Sequence, residues 1–477
     1  MRKLTSNRQR AGGKRSRTGC RTCRARHVKC DETAGACKNC TSTGRSCDGY
    51  ELYRLPANRS RQITAGLPRA LPANARRMTS DELRCFSYFQ QYIAPFLEFV
   101  ESMLYQRLVL QMSQVEPAVF HAIIALSAIH QDYEAQGITR PDSDRSMIKR
   151  GTSNNASWRQ YALAQATHSF SLLGRRHASR DPQLRETTLL CCLLFVLCDL
   201  VQGQYAHAFQ HLHSGVRILQ QSDPEFPSNP AVEESLVRSF EHLDIQCAHF
   251  RVRSPPLLCT DDDIQPLEHP LIFYSVQEAH QAFDQLLGRL FYLANSLNSG
   301  QQGGNLSRDE ILHRKRVQLW SRTEQVTRSF DTFRQRPHIT LSPRGQQAAD
   351  LLYIHLFMLP RTPKGYLLTG RREPSISTSR SLLCLTEAFL RKYSQRPSFV
   401  VNVGVIPPLL NVALYSPDYG LRWRAIEILQ SWPHREGPWD SVSAAQMAMD
   451  AMDSGGLVED PGREGPVNHV SYFPAAE

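Results

Sequence analysis

The stretch CRTCRARHVKC, residues 20–30, decides how the chain begins to fold. It places three cysteines within eleven residues, and four of the six residues between the second and third are Arg, His or Lys. The same spacing returns after it. Cys20, Cys23, Cys30, Cys37, Cys40 and Cys47 read C-x2-C-x6-C twice, the two copies joined by six residues. Between Cys20 and Cys47 the one large aliphatic side chain is Val28, so no apolar core can hold this segment together. A fold this small needs metal or disulfide staples. The N-terminus MRKLTSNRQR has no apolar stretch behind its charges, which argues against a secretion leader and for reduced thiols. Clustered thiols in that setting favour metal.

Valence then sets the count. Structural zinc is tetrahedral and takes four ligands, with Zn–S near ~2.3 Å. One zinc would leave two thiols spare. Two zincs need eight bonds from six sulfurs, so two sulfurs must bridge. Two Zn2+ ions and six thiolates together carry a charge of −2, which neighbouring Arg, Lys and helix N-terminal amides offset.

Charge is divided as unevenly as cysteine. Residues 1–77 hold 19 Lys/Arg against four acids, a net of +15, whereas the remaining 400 carry 37 against 41, a net of −4. A basic head on a nearly neutral body implies an anionic partner at the N-terminus.

The segment GC-RTC-RARHVKC-DE followed by C-KNC-TSTGRSC-DGY, about residues 19–50, resembles the fungal Zn2Cys6 binuclear cluster family of transcription factors. The resemblance implies two Zn2+ ions, Cys20 and Cys37 as bridging ligands, and Cys23, Cys30, Cys40 and Cys47 as terminal ones. It also implies double-stranded DNA as partner, the nucleus as location and a CGG-like triplet as target. Members of the family usually carry proline where this chain has Gly35, which puts the rigidity of the loop Asp31–Ala36 in question; Gly35 still permits the turn.

Arg24, Ala25, Arg26, His27, Val28 and Lys29 follow a metal-ligating CxxC and are expected to form a short helix with its positive side outward. Arg and Lys pair with guanine O6 and N7 in the major groove. By position Arg26 and His27 are the candidates for base contact, and Arg24 and Lys29 for phosphate contact, which positions without specifying. Lys14, Arg15 and Arg17 lie in a basic arm, residues 1–18, that adds salt-sensitive phosphate contacts and reads as a nuclear import signal. Arg45 is a further phosphate candidate.

Residues 51–78 contain Pro56, Pro68 and Pro72 and no heptad that survives three turns, so they read as a linker and not as a coiled coil. The chain is therefore expected either to read one half-site as a monomer or to dimerise through its body.

From residue 79 to 452 the pattern is helical. Thr79 and Glu82 form a candidate capping box. Val119, Ile123, Leu126 and Ile129 recur at helical spacing, as do Tyr205, Phe209, Leu212, Val216 and Leu219. The run LLCCLLFVLC, residues 189–198, is half the ~20 residues that span a bilayer, and Asp199 closes it. It reads as a buried helix. The expected architecture is a small metal-stabilised finger followed by a large all-α helical domain, with residues 453–477 a Gly/Pro-rich tail. The stretches 116–130 and 424–441 resemble the helical regulatory region of the same family, the second through Arg435, Glu436, Gly437 and Trp439. Such a body regulates, pairs with a second copy or meets the transcription machinery; no membrane partner is expected.

The body contains no G-x-S-x-G, P-loop, H-E-x-x-H or dinucleotide fingerprint, so no catalytic residue is assigned. His207, His211 and His213 lie on one helix without an acidic third ligand nearby and read as ordinary core or surface histidines. Cys191, Cys192 and Cys198 read as small buried residues. The competing view is an enzyme or small-molecule sensor that uses a zinc head only for localisation, and it is separated by whether the body alone turns over or binds a metabolite.

Overall fold

A computed structural model describes residues 19–20, 22–23, 26, 28–33, 36–45 and 47 of the head. In the body it describes residues 78–97, 104–136, 154–176, 181, 183–221, 230–248, 256–258, 271–298, 306–336, 340–362 and 375–453. Residues 1–18 with Lys14, Arg15 and Arg17, residues 48–77, 261–263 and 454–477, and Arg24, His27 and Gly35 lie outside the described residues.

Among the described residues of the head, Lys38–Thr41 form the short helix α1, and Thr22 and Cys23 are also helical. The body begins at α2 (Ser80–Tyr88), where the capping box is made on both sides: Glu82 N–H donates to Thr79 Oγ1 at 3.2 Å, and Thr79 N–H donates to Glu82 Oε2 at 2.7 Å. There follow α3 (Val109–Val115), α4 (Pro117–Gln136), α5 (Asn154–Arg176), α6 (Gln183–Gln202), α7 (Tyr205–Gln220) and α8 (Pro230–Ala248). Next come α9 (Val276–Asn298), α10 (Leu306–Gln335), α11 (Pro343–Met358) and α12 (Ile376–Lys392). The last helices are α13 (Ile406–Tyr415), α14 (Tyr419–Ser431) and α15 (Ser441–Asp453). Ser342, Ser375 and Asp418 cap α11, α12 and α14 with side-chain oxygens, each accepting an otherwise unpaired first-turn N–H.

Among the described residues of the body the apolar stripes become three cores. Helices α2 to α8 enclose the first, with Phe86, Ile123, Leu193, Leu212 and Phe240 buried in it. The run 189–198 lies on α6 and is buried almost throughout, as its composition demands. Phe283, Phe330, Phe333 and Leu352 form the second core, between α9, α10 and α11. Leu382, Leu410, Ile426 and Ala445 form the third, between α11 and α15. Helix α11 serves two of them, with Leu352 in the second core and Leu351 in the third.

One feature departs from an all-helical body. Phe399–Val400 (β1), Arg435–Glu436 (β2) and Trp439–Asp440 (β3) form a three-stranded ribbon in the order β1-β2-β3, with β1 and β2 parallel and β2 and β3 antiparallel. Strands of two residues are too short to show a period of two in sequence. The ribbon joins the later part of the body to its first core. Phe399 and Val401 enter the first core, and Val401 N–H donates to Leu97 O at 2.6 Å.

Candidate metal centre and nucleic-acid interface

The repeat in sequence is a repeat in space. Cys23 N–H donates to Cys20 Sγ and Cys40 N–H to Cys37 Sγ, both at 3.3 Å. Cys20 N–H donates to Cys30 Sγ and Cys37 N–H to Cys47 Sγ, again both at 3.3 Å. Each bond in the first half thus has its counterpart seventeen residues on. The two halves share one centre, where Cys20 Sγ lies 3.5 Å from Cys37 Sγ and 3.8 Å from Cys40 Sγ. Cys23 Sγ lies at the same two distances from Cys37 and Cys40.

These separations are far beyond a ~2.05 Å disulfide bond. They fit the edge of a sulfur tetrahedron around zinc, about 3.8 Å for Zn–S of ~2.3 Å. Two sets of four sulfurs lie mutually within 4.8 Å: Cys20, Cys23, Cys30 and Cys37, and Cys20, Cys37, Cys40 and Cys47. Cys20 and Cys37 belong to both. Burial pushes the Cys20, Cys23 and Cys37 thiols above their ordinary range, so as thiols they keep their protons. A metal replaces those protons, and backbone N–H groups already point at Sγ of Cys20, Cys30, Cys37 and Cys47 to receive the resulting charge.

Asp31 locks the halves together. Its carboxylate accepts from Lys38 N–H and Asn39 N–H, both at 3.0 Å, at the start of α1, and from the Thr33 hydroxyl. Those bonds, the Thr33 bond foremost, hold its pKa well below the usual carboxylate range. Glu32, at φ 59°, takes the left-handed turn that starts the connecting loop.

Of the RARHVK segment Arg26, Val28 and Lys29 are described, and none of the three is in a helix. Thr22 and Cys23 are helical, and Arg26 N–H reaches Thr22 O at 3.1 Å. Val28 N–H then bonds to Cys23 O at 3.0 Å, so the helix closes there, and Val28 and Lys29 stand beyond it, exposed. Arg26 crosses to the second half, Nη1 donating to Thr43 Oγ1 at 3.4 Å. Lys29 and Arg45 are exposed.

In the body, His211 Nδ1 pairs with Asp199 Oδ2 at 2.9 Å, and His207 Nδ1 meets Gln204 Oε1 at 3.2 Å. The carboxylate that sequence proximity did not offer His211 comes from the end of the preceding helix. The 435–440 segment forms a buried polar knot. Arg435 Nε donates to Asp440 Oδ2 at 2.8 Å, and its Nη1 donates to Val201 O. Glu436 accepts from the N–H groups of Gly404, Val405 and Ile406 at 2.8, 2.7 and 3.0 Å. It therefore satisfies the start of α13 from a strand thirty residues away. Gly437, at φ 54°, leaves room for Gln246: an added Cβ would stand 2.3 Å from Gln246 Oε1.

Comparison with known proteins bears on both parts. The fungal Zn(2)-Cys(6) binuclear cluster domain matches residues 18–54, and the fungal specific transcription factor domain matches residues 84–299. The chain belongs to the fungal Zn2Cys6 family of transcription regulators. Among its relatives is the aspercryptin biosynthesis cluster-specific transcription regulator atnN of Emericella nidulans, 26% identical over 350 residues, 67% of this chain and 53% of the relative. Transcription regulator lscL of Purpureocillium lilacinum is 27% identical over 221 residues, 44% of this chain and 50% of the relative. Transcriptional regulatory protein moc3 of Schizosaccharomyces pombe is 60% identical over 37 residues, 8% of this chain and 7% of the relative. The chain spans about half the length of the first two. No solved structure matches it. Residues 116–130 fall within the regulatory match, while residues 424–441 fall after its end. Among the described residues no helix is long and apolar enough to cross a membrane.

Proposed function

We propose that this family member is a nuclear, sequence-specific, double-stranded DNA-binding regulator of genes read by RNA polymerase II. The observation that carries the reading is the pair of sulfur quartets sharing Cys20 and Cys37, with a basic segment inserted between Cys23 and Cys30. Two Zn2+ ions account for the quartets, with Cys20 and Cys37 bridging, Cys23 and Cys30 completing one set, and Cys40 and Cys47 the other. Zinc supplies the folding free energy that the head's composition cannot. The head reads a CGG-like triplet through Arg26 and His27, while Arg24, Lys29, Arg45 and the arm residues Lys14, Arg15 and Arg17 bind phosphates. The units are a basic arm (1–18), the finger (19–50), a linker (51–78), a helical body for regulation or self-association (79–452) and a tail (453–477). The likeness to atnN supports a set of biosynthetic genes as target.

Fluorescence titration of labelled duplexes at several salt concentrations tests the division of labour. Arg26→Ala relaxes preference for the triplet, by ~1–3 kcal/mol of discrimination. Lys14→Ala weakens all sequences alike and lowers the salt slope by about one. The reverse pattern refutes the assignment.

A further inference from the structure

Away from the cysteines, three metal-ligating side chains converge where α8 meets α9: His242 from α8, and His280 and Asp284 one turn apart on α9. Asp284 Oδ2 lies 2.8 Å from His242 Nδ1 and 3.8 Å from His280 Nδ1, and the three side chains are 12, 11 and 19% exposed in the order His242, His280, Asp284. In a tetrahedral zinc site with metal–ligand bonds of ~2.1 Å, neighbouring donor atoms stand about 3.4 Å apart. The two observed separations bracket that value.

Hydrogen bonding on the far side of His242 says what belongs between them. His242 Nε2 faces two amide nitrogens, Gln246 Nε2 and, at 2.9 Å, Asn402 Nδ2. A ring nitrogen has one lone pair and cannot accept from both. Gln246 Oε1, meanwhile, is buried without a hydrogen-bond partner, on a residue 2% exposed. The two ends of a side-chain amide are alike in shape, and hydrogen bonding decides which faces which. Turned end for end, Gln246 brings its orphaned oxygen to His242 Nε2 and pairs it, provided that Nε2 carries the hydrogen and that Asn402, by the same turn, presents its oxygen on that side. On a neutral ring the lone pair of His242 Nδ1 then points at the Asp284 carboxylate, and that contact repels unless the ring takes up a second proton or a cation lies between the two. A ligating histidine that donates its other N–H to an oxygen acceptor is the common outer shell of a metal site.

We propose that His242 Nδ1, His280 Nδ1 and Asp284 bind a divalent transition-metal ion of the zinc class, with Gln246 orienting His242. Imidazole and carboxylate donors suit that class of ion. The ion ties α8, whose Phe240 and Leu243 lie in the first core, to α9 in the second.

The test is the metal content of full-length protein, measured by plasma mass spectrometry after dialysis against trace zinc. The wild type carries one equivalent more than His280→Gln or Asp284→Asn, while His280→Cys, which keeps a ligand, retains it. The head's zinc is common to all four and cancels. Equal content in the wild type and both losing variants overturns the proposal and leaves an imidazolium–carboxylate pair. If circular dichroism shows that the losing variants lose helix, Gln246→Leu decides instead. Removing only the orienting amide weakens zinc binding 10–100-fold in a chelator competition; unchanged affinity overturns the site.

Discussion

Glu436→Gln exchanges one oxygen for one NH2 and leaves the volume of the residue unchanged, so its effect isolates hydrogen bonding and charge. Glu436 is 1% exposed. Its Oε1 accepts from Val405 N–H and meets His434 Nε2, and its Oε2 accepts from Gly404 and Ile406 N–H. Glutamine has one such oxygen. Whichever way it turns, its NH2 faces at least one backbone N–H at the start of α13, and that donor is stranded in a dry site. A buried unsatisfied donor costs about 1–3 kcal/mol. Loss of the negative charge at a helix N-terminus adds roughly 0.3–2 kcal/mol. The expected destabilisation is therefore roughly 1–5 kcal/mol, against the ~5–15 kcal/mol that holds an ordinary domain folded. Urea unfolding followed by far-ultraviolet circular dichroism reads it as a lower midpoint. A change below ~0.5 kcal/mol, the size of a neutral surface substitution, would show that Glu436 is not what anchors α13.

Cys37→Ser removes a sulfur common to both quartets, so zinc content falls and the head loses its fold and DNA binding together; full zinc and retained binding refute the shared-ligand reading. Gly437→Ala forces a Cβ against Gln246 and Val401 O in a left-handed conformation, and the thermal midpoint drops; an unchanged midpoint contradicts the packing. His355 is fully buried, and burial brings its pKa down to about 4 from 6.5. The unfolded chain takes up that proton first as pH falls, so stability is complete above pH 6.5 and declines toward pH 4, by about 3 kcal/mol at most. His355→Gln flattens this part of the stability–pH profile, and an equal slope in the variant refutes the assignment.

Spacing carried the most legible information. The duplicated C-x2-C-x6-C reappears as duplicated N–H to sulfur bonds, the capping box at Thr79 and Glu82 is made, and the apolar run 189–198 is an interior helix. These are local patterns, read within a few turns of one chain segment. Contacts made across long separations left no such trace. Asp31 looked like an ordinary acid after a cysteine, yet it binds the start of α1. Glu436 stood within a recognisable segment, but nothing nearby in sequence announces that it serves α13. His280 and Asp284 are visibly one turn apart, whereas His242 joins them from another helix. The expected short helix does not reach Val28 and Lys29, where Val28 N–H bonds back to Cys23 O instead; Arg24, Ala25 and His27 lie outside the described residues.

The most direct test is to select randomised duplex DNA against zinc-loaded full-length protein and sequence what is retained. Enrichment of a CGG-like triplet is the predicted result, with one triplet or two at fixed spacing distinguishing monomer from dimer. A pool without enrichment, from protein shown to carry its zinc, would contradict sequence-specific reading by the head.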